Sequence, residues 1–163
     1  MTHGCIILCL HLRAMKIVKK ITTPFNILLA DDDLDDRIFF EKALSEIKLI
    51  TTLRTVNNGD QLMDYLLKDT GELPDVLFLD LSMPRKTGFE CLAEMKENEN
   101  LKAIPVIMFT TSFTRGFDLE ENLKTTLNRM GAYTYIRKPS NFNELKQVIE
   151  NTMIELMATK GKN

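Results

Sequence analysis

Phe25-Asn26-Ile27-Leu28-Leu29-Ala30 carries no charge and stops abruptly at Asp31-Asp32-Asp33. A short apolar run closed by a polar cluster is the pattern of a strand buried on both faces of a parallel sheet. The carboxylates at its end fall where such a sheet opens to solvent, at the carboxyl ends of its strands. This one stretch therefore sets both the fold and the place to look for chemistry.

The pattern repeats outward from there. Asp33 to about Ile47 spaces Ile38, Phe39, Ala43, Leu44 and Ile47 as a helix does. Leu49 to Val56 is rich in β-branched residues and reads as a second strand. Asn57-Asn58-Gly59 reads as a turn before a helix marked by Leu62, Met63, Leu66 and Leu67. Pro74-Asp75 opens a third buried strand, Val76-Leu77-Phe78-Leu79, ending at Asp80. A loop with Met83-Pro84 and Gly88 precedes a helix carrying Phe89, Leu92 and Met95. Ile104-Pro105 opens strand four, Val106 to Phe109, ending at Thr110. A helix from about Asp118 to Met130 stops at Gly131, and strand five runs from Ala132 to Arg137, ending at Lys138-Pro139. The last helix covers about Asn141 to Met157, where Met153 and Met157 read as filler. Five strands alternating with five helices predict an α/β fold with a parallel sheet covered on both faces by right-handed crossovers.

Composition narrows the function classes. The 163 residues suit one domain, and 21 basic against 23 acidic side chains leave a formal charge of −2. That balance gives no electrostatic reason to expect nucleic acid or a membrane surface as partner. No apolar run reaches the roughly 18 residues of a membrane span. Near the N-terminus the positive charge follows the apolar Cys5–Leu10 run, the reverse of a secretory signal. Residues 1–22 read as an extension without function, 23–158 as the domain and 159–163 as a polar tail. His3, Cys5, Cys9 and His11 are spaced H-x-C-x3-C-x-H, but Ile6-Ile7-Leu8 offers no turn to wrap them around Zn²⁺. Three cysteines make no disulfide framework, and a cytoplasmic setting is expected.

The strand-end residues are Asp31/Asp32, Asp80, Thr110 and Lys138. Two or three carboxylates, a hydroxyl and an ammonium then converge on one rim. Carboxylates packed together repel and are costly to bury unpaired, so such a cluster usually holds a cation. All-oxygen ligation suits Mg²⁺, which keeps several waters and binds phosphoryl groups. A carboxylate beside Mg²⁺, flanked by a lysine and a hydroxyl, is equipped for phosphoryl transfer, where positioning and charge neutralisation do most of the catalysis.

Four segments in this order resemble the receiver domains of response regulators. They are Ile27–Asp33, Phe78-Leu79-Asp80-Leu81-Ser82-Met83-Pro84, Pro105–Thr110 and Tyr135-Ile136-Arg137-Lys138-Pro139, and the likeness extends from about Pro24 to Met157. Met83–Gly88 and Glu97–Ala103 look like single-domain regulators of the phytochrome-associated kind. The resemblance implies a flavodoxin-like doubly wound (βα)5 sheet in the order 2-1-3-4-5. It implies Asp80 as phosphoacceptor, Asp32 as direct ligand of Mg²⁺, Asp31 as a ligand through water and the Ser82 carbonyl as the remaining protein ligand. Lys138 would pair with Asp80 and then with the phosphoryl oxygens. Thr110 would donate its hydroxyl to the phosphoryl group, and Tyr135 would be the aromatic that turns inward once Thr110 has moved.

Plainer readings compete with these roles. Asp33, Asp35 and Asp36 read as solvated charge at a helix N-terminus, where Asp is favoured, while Asp31 and Asp32 do not. Thr110 could hold only a local hydrogen bond, Lys138 could be a surface lysine, and Tyr135 could be an exposed strand residue. Two departures from the family pattern stand out. The stretch from Thr110 to Gly131 is longer than in compact chemotaxis-type members, with the surplus placed in Ser112–Asp118. Thr111 also stands where the family prefers a smaller residue, which would narrow access of small phosphodonors to Asp80.

The expected function is phosphorelay signalling by a phosphoacceptor switch rather than an enzyme, with a histidine kinase or histidine phosphotransfer protein as donor. No output domain is expected after Met157, so output would pass to another protein, a second copy of the chain included. The rivals are an unphosphorylated receiver-like binding module and a phosphatase of the haloacid dehalogenase type. The latter wants an Asp two positions after its nucleophile, and Ser82 stands there. A Gly-rich nucleotide loop is absent, which removes dinucleotide enzymes.

Overall fold

The computed structural model describes residues 24–68, 73–111 and 117–160. The N-terminal extension with its His/Cys pattern, residues 112–116 of the lengthened loop and the last three residues lie outside them. Among the described residues one five-stranded sheet forms in the order β2-β1-β3-β4-β5, with every pair parallel. The strands are β1 (Phe25–Ala30), β2 (Thr51–Val56), β3 (Val76–Leu79), β4 (Val106–Thr110) and β5 (Thr134–Arg137). The helices are α1 (Leu34–Ser45), α2 (Gly59–Leu67), α3 (Gly88–Glu97), α4 (Phe117–Arg129) and α5 (Phe142–Lys160).

Strand alternation explains the two cores. On β1, β3 and β4, Ile27, Leu29, Val76, Phe78, Ile107 and Phe109 face α1 and α5, where Phe40, Leu44, Ile149 and Met153 meet them. Leu28, Ala30, Leu77, Leu79, Val106 and Met108 face the other way, against Leu62, Leu92, Met95 and Leu127. Successive side chains of a strand point to opposite faces, so an uninterrupted apolar run is what a sheet covered twice requires. Phe40, Phe78 and Phe109 form an edge-to-face trio with centroids 4.9–5.9 Å apart.

Helix ends follow local chemistry. Asp33 caps α1 by accepting from the Asp35 and Asp36 amides at 2.8 and 3.2 Å. Asn58, read as part of a turn, caps α2 by accepting from the Gln61 amide at 2.9 Å. Thr87 and Glu90 form a capping box on α3. At the end of α4, Gly131 takes φ +93°. Its amide and that of Ala132 return to the Asn128 and Leu127 carbonyls, as the sequence predicted for a glycine stop.

Three expectations need correction. The buried stripe of α1 is Phe40, Ala43 and Leu44, with Ile47 buried just beyond its end, while Ile38 and Phe39 are each 51% exposed. Each helical residue turns about 100°, so the docking of α1 on Phe78, Phe109 and α5 selects Phe40 and turns its two neighbours outward. Leu67 is likewise exposed at the last turn of α2. Finally, α5 continues to Lys160, so Thr159 and Lys160 are helical rather than tail. Lys160 extends over the Phe25 ring and pairs with Asp75 from there.

Candidate functional site

The sheet ladder continues one step past the strand ends and places the charged residues. The Asp31 amide donates to the Val56 carbonyl at 3.0 Å, the Asp80 amide to Ala30 at 2.9 Å and the Lys138 amide to Thr110 at 2.8 Å. Three charged residues, two aspartates and one lysine, are thereby fixed at one rim by backbone hydrogen bonds. Alternation then decides which of them meet. Asp31, Asp80 and Lys138 fall on the α1/α5 side, whereas Thr110 and Tyr135 fall on the side of α4.

Lys138 is the hub. Its Nζ lies 2.7 Å from Asp31, 2.7 Å from Asp36 and 3.4 Å from Asp80. Asp31, Asp80 and the Lys138 side chain are all buried. Burial pushes the Asp31 carboxyl up to about 6, and the Lys138 hydrogen bond and the Asp33 amide lower it only in part. Burial works against the charge of Lys138, yet hydrogen bonds to Asp31 and Asp36 and the charge of Asp80 hold its pKa above the usual lysine value. Arg37 donates to the Asp31 carbonyl at 2.6 Å, tying α1 to the same strand end.

The far oxygen of Asp80 accepts from the Ser82 amide at 2.8 Å, so the loop after β3 orients the carboxylate. That loop returns closely: a Cβ on Gly88 would stand 2.2 Å from the Asp80 carbonyl oxygen, and only glycine fits there.

On the α4 side, Thr110 is buried and its hydroxyl donates to the Thr111 carbonyl at 3.2 Å. Tyr135 is buried too, with its hydroxyl 3.4 Å from Glu120 of α4, and Arg137 lies 3.8 Å from the same carboxylate. Burial and Glu120 both push the Tyr135 hydroxyl pKa up. The buried Tyr135 rules out the exposed-strand reading, and the buried Lys138 side chain rules out a surface lysine. Thr111 itself is exposed.

The convergence expected from sequence is narrower in one respect. Asp32, next in the chain to Asp31, is exposed, and among the described residues no three acidic, histidine or cysteine side chains stand close enough to hold a metal alone. The charges nevertheless suit a divalent cation, because one ammonium faces three carboxylates, Asp31, Asp36 and Asp80. Mg²⁺ asks little of the protein, since one or two carboxylates plus water and phosphoryl oxygens complete its shell. Asp31, Asp32, Asp80 and the Ser82 carbonyl supply oxygen donors of that kind.

Two contributors were missed in the sequence. Asp36 was assigned to a solvated helix start, but it sits on Lys138. Helical side chains tilt toward the N-terminus, so an acid in the first turn of a helix leaving β1 leans back to the strand end. Glu120 lies on a separate helix and gave no local signal.

The chain belongs to the response regulator receiver domain family, whose model matches residues 27–150. It is 32% identical over 130 residues to the probable methanogenesis regulatory protein FilR2 of Methanothrix harundinacea, covering 78% of this chain and 80% of that protein. It is 29% identical to the response regulator Rcp1 of Synechocystis, covering 78% and 85%. The crystal structure of the phosphorylated cyanobacterial phytochrome response regulator RcpA matches with a TM-score of 0.73 and 28% identity, over 84% of this chain and 96% of that one. The Mn²⁺-bound form of Rcp1 matches with a TM-score of 0.69 and 28% identity, over 78% and 91%. The likeness to phytochrome-associated regulators and the flavodoxin-like strand order are thus both borne out.

Proposed function

We propose that this receiver accepts a phosphoryl group on Asp80 from a phosphohistidine of a partner kinase or phosphotransfer protein, in the cytoplasm, and passes the signal on by protein contact. The contact of one buried ammonium with both Asp31 and Asp80 carries this reading. An Asp80 oxygen attacks phosphorus, the P–N bond breaks, and the imidazole leaves with the electron pair. The Ser82 amide keeps the second Asp80 oxygen fixed while the first reacts. Lys138 neutralises the incoming negative charge. Mg²⁺, held by Asp31, Asp32, Asp80 and the Ser82 carbonyl, would supply the remaining neutralisation of the phosphoryl oxygens.

Thr110 follows by rotating its hydroxyl from the Thr111 carbonyl to the phosphoryl group. Tyr135 already packs inward with its hydroxyl near Glu120, which suits a switch read out on α4 and β5. The chain acts as a switch and turns over no external substrate, with residues 23–158 as the functional unit.

Incubation with Mg²⁺ and a phosphohistidine donor, or acetyl phosphate, should add one phosphoryl group by intact-mass analysis, and Asp80→Asn should abolish it. Labelling of that variant at the wild-type level would overturn the assignment. Asp32→Asn should weaken Mg²⁺ binding more than Asp35→Asn, and equal effects would remove Asp32 from the metal set.

A further inference from the structure

We propose that Asp36 is a positioning residue for Lys138, competing with the phosphorylated Asp80 for its ammonium and so setting how readily the switch turns on. The inference rests on the function proposed above and adds a regulatory element on α1 to it.

The geometry is that of a contested cation. Lys138 makes 2.7 Å contacts with Asp31 and Asp36 but lies 3.4 Å from Asp80, outside good hydrogen-bond range. The ammonium is therefore drawn toward the α1 side of the site and stands off from the acceptor. Asp36 is held in place independently of the site, because its amide is anchored by the Asp33 cap at 3.2 Å. It is also the most open of the three partners, with a side chain 35% exposed against 2% for Asp31 and 6% for Asp80. Giving up Lys138 leaves Asp31 buried without its counter-ion, whereas Asp36 can be solvated. Asp36 is thus the partner that yields.

There is room for the exchange. A cavity of about 100 Å³ lined by Asp36, Phe39, Phe109, Lys138 and Phe142 opens on the Asp36 side of the ammonium, so the Asp36 carboxylate has space to turn away once it gives up Lys138. The Lys138 backbone stays fixed by its bond to the Thr110 carbonyl, so only the side chain needs to swing. Phosphorylation adds negative charge on the Asp80 side alone, which tips the competition. Removing the Asp36 charge acts in the same direction, by freeing the ammonium and by lessening repulsion of the phosphoryl group.

The test is binding of beryllofluoride, a phosphoryl mimic, to the full chain in excess Mg²⁺, measured by calorimetry. Asp36→Asn should tighten binding about two- to fivefold, the range for one partly exposed ion pair. Asp35→Asn changes the same charge on the same helical turn without touching Lys138 and should leave affinity near wild type. Asp36→Glu restores the charge and should return affinity toward wild type. Weaker binding by Asp36→Asn, or the same shift in Asp35→Asn, would overturn the proposal while leaving the receiver function standing. Failure of the wild-type chain to bind beryllofluoride would overturn the function and the proposal together.

Discussion

Asp31 offers a direct measure of what the acidic rim costs when no metal is bound. Its carboxyl is raised from the ordinary 3.8 to about 6, with burial the largest cause. Between those values the folded state holds a proton that the unfolded state has released, so stability falls as pH rises through this window. Below it both states are protonated, and above it both are ionised and the cost stays constant. At about 1.4 kcal/mol per pH unit, the rise corresponds to at most about 3 kcal/mol. Asp31→Asn keeps an oxygen for the Asp33 amide and Lys138 but cannot ionise. In metal-free buffer its stability relative to wild type should be near zero at about pH 4 and grow by roughly 1–3 kcal/mol by pH 7. Urea unfolding of both proteins across that range measures the effect. A difference that stays flat with pH would refute the reasoning. One that turns against the variant would mean that pairing with Lys138 outweighs burial.

Two further outcomes follow from the same geometry. Lys138→Met leaves Asp31, Asp36 and Asp80 without their ammonium and should cost about 3–5 kcal/mol in metal-free buffer, partly recovered by Mg²⁺; an unchanged melting temperature would show that the ion pairs contribute nothing. Phe40→Ala should cost about 3–5 kcal/mol by emptying the aromatic trio, while Phe39→Ala on the exposed side should cost less than about 1 kcal/mol. Comparable losses in urea unfolding would contradict the placement of α1.

Much of this was legible in the chain. Runs such as Ile27–Ala30 and Val76–Leu79 are apolar at every position because both faces are covered, and each ends in the carboxylate that the ladder then carries to the rim. The glycine stop at Gly131 and the acid cap at Asp33 were readable because caps act within a few residues. The choice of Phe40 over Phe39 was not, since both fit a loose helical spacing and only docking against Phe78 and Phe109 distinguishes them.

The sequence by itself determined the strands, their order of appearance and the identity of Asp31, Asp80 and Lys138, because backbone burial and strand-end polarity are written locally. Tertiary structure decided how the charges are shared. Strand alternation sends Asp31, Asp80 and Lys138 to one face and Thr110 and Tyr135 to the other. The packing of α1 brings Asp36 onto Lys138 across 102 positions of chain. The fold of α4 over β5 brings Glu120 to Tyr135. Such contacts depend on the angle at which whole helices dock, and a helix's docking angle is a property of the assembled core rather than of any one segment.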